Sequence, residues 1–119
     1  MSRPRKWKTV CALPAITEYS SSGAPGGPVP FIVMKVEEYE VVRLIDGENM
    51  TQEECAEHLG VSRPSVQLIY DAARKKLADF LVCGGKLRIG GGDYRLCEEW
   101  HQPCSAAYCA RYGRKNQKD

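Results

Sequence analysis

The stretch Thr51-Gln52-Glu53-Glu54-Cys55-Ala56-Glu57-His58-Leu59-Gly60-Val61-Ser62-Arg63-Pro64-Ser65-Val66-Gln67-Leu68-Ile69-Tyr70 decides the reading of the fold. Thr51 opens it with the pattern T-x-x-E. In that pattern the hydroxyl accepts from the amide three residues on while the Glu54 side chain reaches back, so a helix start is specified there. Cys55, Ala56 and Leu59 share one face of this short helix, and Gly60 suits the left-handed turn that closes it. Val61 is placed to plug the core beneath the turn. Ser62 is a good N-cap for a further helix, with Arg63 and Pro64 in the first turn, where proline loses no needed hydrogen bond. That helix is long: Val66, Ile69, Tyr70, Ala73, Leu77, Phe80 and Leu81 recur at three- and four-residue steps and fall on one face. It is expected to end near Cys83, at Gly84-Gly85.

Working outward, Val36 to Asp46 reads as a preceding helix with Tyr39, Val42 and Ile45 inward and Gly47 at its end. Phe31 to Met34 is a short apolar run, either a strand or an approach to that helix. Residues 20–30 are a loop by composition, since their glycines and prolines oppose both helix and central strand. On the far side, Lys86–Ile89 and Asp93–Leu96 flank Gly90-Gly91-Gly92, which suggests a small β-hairpin. Gly84-Gly85-Lys86 lacks the upstream glycine spacing and the following Ser or Thr of a phosphate-binding loop. The expected fold is therefore mainly α: a three-helix helix-turn-helix core, independent of any winged helix, with a small hairpin and a Cys/His-rich tail. The corresponding division is a basic arm and Gly/Pro/Ser-rich loop at 1–30, a DNA-binding domain with its hairpin at 31–96, and the tail at 97–119.

The chain has 119 residues and a net charge of only +2, but the charge is segregated. Arg3, Arg5, Lys6 and Lys8 open the chain without an acid, and Glu37 to Glu57 then holds eight acids against the single base Arg43. Between Arg63 and Arg95 the sign reverses, with seven bases against three acids. Such a field suits a polyanionic partner. No apolar run approaches the length that spans a bilayer, and the basic start is followed by too short and polar a run for a secretion signal, so a cytoplasmic protein is expected.

Two helices joined by a short glycine-containing turn present the second helix to a DNA major groove. In that arrangement Ser62, Arg63, Ser65, Gln67 and Leu68 fall where base edges are read. Arginine suits guanine or phosphate, glutamine suits adenine, and an outward leucine suits a thymine methyl. Leu68 lies opposite the apolar stripe, where a polar residue would be ordinary, and so marks a contact surface. Arg74, Lys75 and Lys76 follow on the same helix and supply phosphate contacts, or simply a solvated face complementing the helix dipole.

The same segments carry a resemblance. Arg3-Pro4-Arg5-Lys6, Val10-Cys11-Ala12-Leu13-Pro14, Val36 to Leu44, Thr51 to Ala56, Gly60 to Ser65, Ala72 to Ala78 and Leu87 to Leu96 resemble a small prokaryotic family of predicted DNA-binding proteins. This is the domain of unknown function numbered 134. The resemblance implies a helix-turn-helix similar to region 4 of bacterial sigma factors, and with it a transcription regulator that binds double-stranded DNA. A homodimer reading paired half-sites is the corresponding assembly. The chain departs from the family pattern in its glycine- and serine-rich linker and in Tyr39 and Val42, which stand where leucines are expected.

Cys97-x-x-x-His101-x-x-Cys104-x-x-x-x-Cys109 offers four ligands within a short span. That is enough for a closed zinc site, with zinc favoured over an iron–sulfur cluster because histidine suits it better. Free thiols are the alternative. Cys11 is a substitute ligand if the N-terminal arm packs nearby, whereas Cys55 and Cys83 read as core or core edge. A protein–protein adaptor is the rival function, and it would use Leu68 and the tail as contacts. An enzyme is not expected, because only two histidines are present and no nucleophile with an adjacent base is legible.

Overall fold

The computed structural model describes residues 7–22 and 30–96. Its elements are β1 (Lys8–Val10), β2 (Glu18–Ser20), β3 (Phe31–Met34), α1 (Val36–Val42), a π-helical turn (Arg43–Gly47), α2 (Gln52–Leu59), α3 (Arg63–Cys83), β4 (Lys86–Ile89) and β5 (Tyr94–Leu96). The three helices thus share the described residues with five strands in two sheets, a mixed α/β architecture rather than the mainly α fold expected from sequence. The difference has a physical source. Lys8–Val10 and Glu18–Ser20 are only three residues long, and in Glu18–Ser20 all three residues are exposed, so no apolar alternation announces these two strands.

β4 is the organising strand. Leu87 and Ile89 are buried while Lys86 and Arg88 point out, the period-two pattern of a one-faced sheet. It pairs antiparallel with β2 on one side and parallel with β3 on the other. Both of its hydrogen-bonding edges are therefore used, and the expected hairpin with the segment after Gly92 cannot form. Instead β5 runs parallel to β1, with Val10 opposite Leu96. The glycine triplet carries the chain between the sheets. Gly90 N–H donates to the Met34 carbonyl, and the Gly91 carbonyl accepts from Val36 at the start of α1. Gly92, at φ +103°, passes so close to the Glu37 carboxylate that a Cβ would collide with it. The arm assigned to residues 1–30 likewise contributes β1 and β2 to the body.

α1 lies between two apolar cores, which explains an unusual pattern of burial. Val41 and Leu44 pack with Met50, Cys55, Ala56, Leu59 and Val66 in one core. Val36 packs with Val10, Met34, Ala73, Leu87 and Ile89 in the other. Tyr39, Val42 and Ile45, expected inward, are half-buried on the flanks of these cores. A helix enclosed on both sides must also bury polar positions, and Glu37, Glu38 and Glu40 are all buried. Each is partnered: Glu37 with Lys8, Glu38 with Lys76, Glu40 with Arg43. α3 ties the cores together, contributing Val66 to the first and Ala73 to the second. Its apolar stripe ends before expected, since Leu81 is 80% exposed.

Candidate nucleic-acid interface and a buried polar cluster

The turn between α2 and α3 is built from caps. Thr51 N–H donates to Glu54 Oε1 at 2.9 Å, and Glu54 N–H donates to Thr51 Oγ1 at 3.1 Å, so the capping box is closed. Gly60 takes φ +76°, and both it and Val61 donate to the Ala56 carbonyl. Val61 packs against the first core. Ser62 Oγ accepts from the Ser65 amide at 3.3 Å, and Pro64 occupies the first turn. These bonds set the direction of α3 relative to α2.

The outer face of α3 presents Arg63 exposed and Leu68 at 72% exposure. Ser65 is half-buried, its hydroxyl 3.0 Å from that of Ser62. The Gln67 amide donates to Asp71 Oδ1 at 2.8 Å, one turn along the helix. Further on, the Arg74 guanidinium stands 5.1 Å over the Tyr70 ring, and Lys75 pairs with Asp79 at 3.0 Å. Tyr70 donates its hydroxyl to Asp46, and that bond raises the phenol above its ordinary pKa. The basic residues of α3 therefore divide. Lys76 turns inward and pairs with the buried Glu38 at 2.7 Å, a contact that holds α3 to α1. Lys8 belongs to β1 and lies 3.7 Å from Glu37. Arg3, Arg5 and Lys6 lie outside the described residues.

A second constellation sits beneath α2. Arg43 grips Glu40 through two bonds of 2.9 Å, Nε to Oε1 and Nη2 to Oε2. Cys11 donates its amide to Glu40 Oε2 at 3.1 Å, and its Sγ lies 3.2 Å from His58 Nε2. The same His58 nitrogen is 3.9 Å from Glu40 Oε2. Burial lowers the His58 pKa, and the Glu40 carboxylate opposes that shift only in part. Cys55 lies in the adjoining core, where burial first and the Glu40 charge second push its thiol up to about 12. Thiol and carboxylate both approach one ring nitrogen of His58, unlike a catalytic triad, in which they engage opposite nitrogens.

Residues 1–97 match the family model described as protein of unknown function DUF134. The chain belongs to this family. It is 48% identical over 104 residues to a UPF0251 protein of Desulfitobacterium hafniense (strain Y51), covering 87% of this chain and 83% of that one. A UPF0251 protein of Thermoanaerobacter sp. (strain X514) is 42% identical over 99 residues, covering 83% and 88% of the two chains. One from Clostridium beijerinckii is 40% identical over 114 residues, covering 94% and 77%. No solved structure matches the chain.

Within this DUF134 member, the metal ligands expected from sequence, Cys97, His101, Cys104 and Cys109, lie outside the described residues. Ser62 caps α3, and Arg63, Ser65, Gln67 and Leu68 lie on its first two turns. Sequence reasoning missed Glu40 and His58 as partners of Cys11. The available signal was weak: a glutamate inside an apolar helical stretch and a histidine three residues after a core cysteine, each ordinary alone. Cys83 is exposed at the end of α3. No helix among the described residues is long and apolar enough to cross a membrane.

Proposed function

We propose that this protein binds double-stranded DNA as a sequence-specific transcription regulator, with α2 and α3 as a helix-turn-helix and the start of α3 as its reading surface. The observation that carries the reading is the pairing of a fully capped α2–α3 turn with an exposed Arg63 and Leu68 on the outer face of α3. An exposed leucine so placed leaves apolar area in water, and a thymine methyl in the major groove is a natural partner for it. The resemblance to sigma factor region 4 supports the same assignment. Paired half-sites would be read by a homodimer.

The test is selection of bound duplexes from a random library, followed by affinity measurement across a salt series. Binding should weaken steeply with salt as phosphate contacts release counterions. Arg63→Ala and Gln67→Ala should each cost about 1–3 kcal/mol at the selected site. Deleting residues 1–6, with Arg3, Arg5 and Lys6, should lower the salt slope by roughly one for each phosphate that the arm neutralises. Parent-like binding by both point variants would remove α3 as the reader.

One observation favours a protein–protein adaptor as the second reading. An apolar groove of about 300 Å³ is lined by residues that include Tyr39, Leu77, Phe80, Leu81 and Ile89. Leu81 of this lining and its chain neighbour Val82 are more than three-quarters exposed, at 80% and 83%. A contact centred there would be nearly insensitive to salt, which separates it from DNA binding.

A further inference from the structure

We propose that Cys11, Glu40 and His58 bind one zinc ion, forming a site distinct from the Cys/His-rich tail. The three residues come from three separate parts of the chain: the turn after β1, the middle of α1 and the last turn of α2. Their ligand atoms all lie within 4.8 Å of one another. Around tetrahedral zinc, with bonds of roughly 2.0–2.3 Å, neighbouring ligand atoms stand about 3.3–3.7 Å apart. The Cys11–His58 separation of 3.2 Å and the His58–Glu40 separation of 3.9 Å bracket that range. Small rotations would satisfy the ion.

The chemistry of the donor set selects the metal. One thiolate, one imidazole and one carboxylate make a borderline-soft site, which suits zinc and is poor for magnesium or calcium. Cys11 and Glu40 are 1% and 0% exposed while the His58 side chain reaches the surface at 11%, so three protein ligands would hold the ion and water would complete the tetrahedron from the His58 side. Arg43 supplies the outer support that ligating carboxylates require, fixing Glu40 through both oxygens. Glu40 Oε2 already accepts from Arg43 and from the Cys11 amide, and the amide bond, the longer at 3.1 Å, is the one that yields to the ion. The charges are acceptable: thiolate and carboxylate neutralise a divalent ion, while Arg43 also reaches Glu48 at 3.7 Å. Bound there, zinc would clamp the segment after β1 to α1 and α2. Without metal the same atoms can form a chain in which the Cys11 thiol donates to His58, so the two states make different predictions.

The test uses the full chain carrying Cys97→Ser, His101→Ala, Cys104→Ser and Cys109→Ser, purified without a polyhistidine tag. Elemental analysis after zinc loading and gel filtration should give about one ion per chain, three protein ligands with an open fourth position being the ligand count of catalytic zinc sites. Adding Cys11→Ser or His58→Gln should reduce that to near zero. Cobalt loading should produce the near-ultraviolet absorption of a thiolate-bound tetrahedral ion, and Cys11→Ser should abolish it. Circular dichroism checks folding. If Cys11→Ser does not fold, the His58→Gln stoichiometry and the cobalt spectrum of the folded background decide. A background that retains no zinc, a stoichiometry unchanged by His58→Gln, or a cobalt spectrum without thiolate character overturns the proposal.

Discussion

Replacing Arg43 by methionine removes the partner of a carboxylate that has nowhere to go. Glu40 is fully buried, and the guanidinium provides two of its hydrogen bonds at 2.9 Å, leaving the Cys11 amide at 3.1 Å. Breaking a buried pair by deleting one partner costs about 3–5 kcal/mol, because the remaining charge is uncompensated. The Arg43 side chain is itself 12% exposed, so water at its rim can enter and the lower end of that range applies. For a chain of 119 residues about 3 kcal/mol corresponds to a fall in melting temperature of roughly 12 °C. Replacing Glu40 and Arg43 together by methionine removes both charges and leaves chiefly the Cys11 amide without its acceptor, at about 1–3 kcal/mol. The double variant should therefore be no less stable than the Arg43→Met single variant. Urea unfolding followed by circular dichroism, in the presence of a chelator so that metal does not contribute, measures both. A single-variant cost below about 1 kcal/mol, the value of an exposed pair, would show that the burial argument fails. So would a double variant equal to the sum of the two singles, since contacting residues are expected to couple.

Gly85→Ala should destabilise by about 2–5 kcal/mol, because Gly85 has φ +106° and a Cβ there would strike the Pro30 backbone. Gly91→Ala, at φ +76° in open space, should cost only about 1–2 kcal/mol in the same unfolding assay. Lys76→Met should lower stability by about 1–3 kcal/mol by removing the charge partner of the buried Glu38, which keeps the Lys35 amide as a donor, whereas Lys75→Met, whose side chain is 75% exposed, should leave stability nearly unchanged. Iodoacetamide at mildly alkaline pH should modify the exposed Cys83 well before Cys55, whose burial and raised pKa of about 12 keep it a protected thiol; mass mapping of the two peptides checks the order.

Local signals in the sequence determined the helices of this protein. The Thr51–Glu54 capping box, Gly60 and the Ser62 cap are short-range devices, each closed within four residues, so their chemistry is complete in the string of letters. The outward position of Leu68 follows from helical periodicity in the same way. Strand partners are a different matter, because a strand leaves its hydrogen bonds to be satisfied by distant segments. Lys86–Ile89 reads as half of a hairpin, but β2 and β3 take both of its edges, and Gly90 to Gly92 then serve to pass the start of α1. The buried cluster is tertiary for the same reason. Cys11 and His58 are 47 residues apart, and only the enclosure of α1 between two cores turns Glu40 from an ordinary helix glutamate into a buried charge that needs Arg43 and the Cys11 amide.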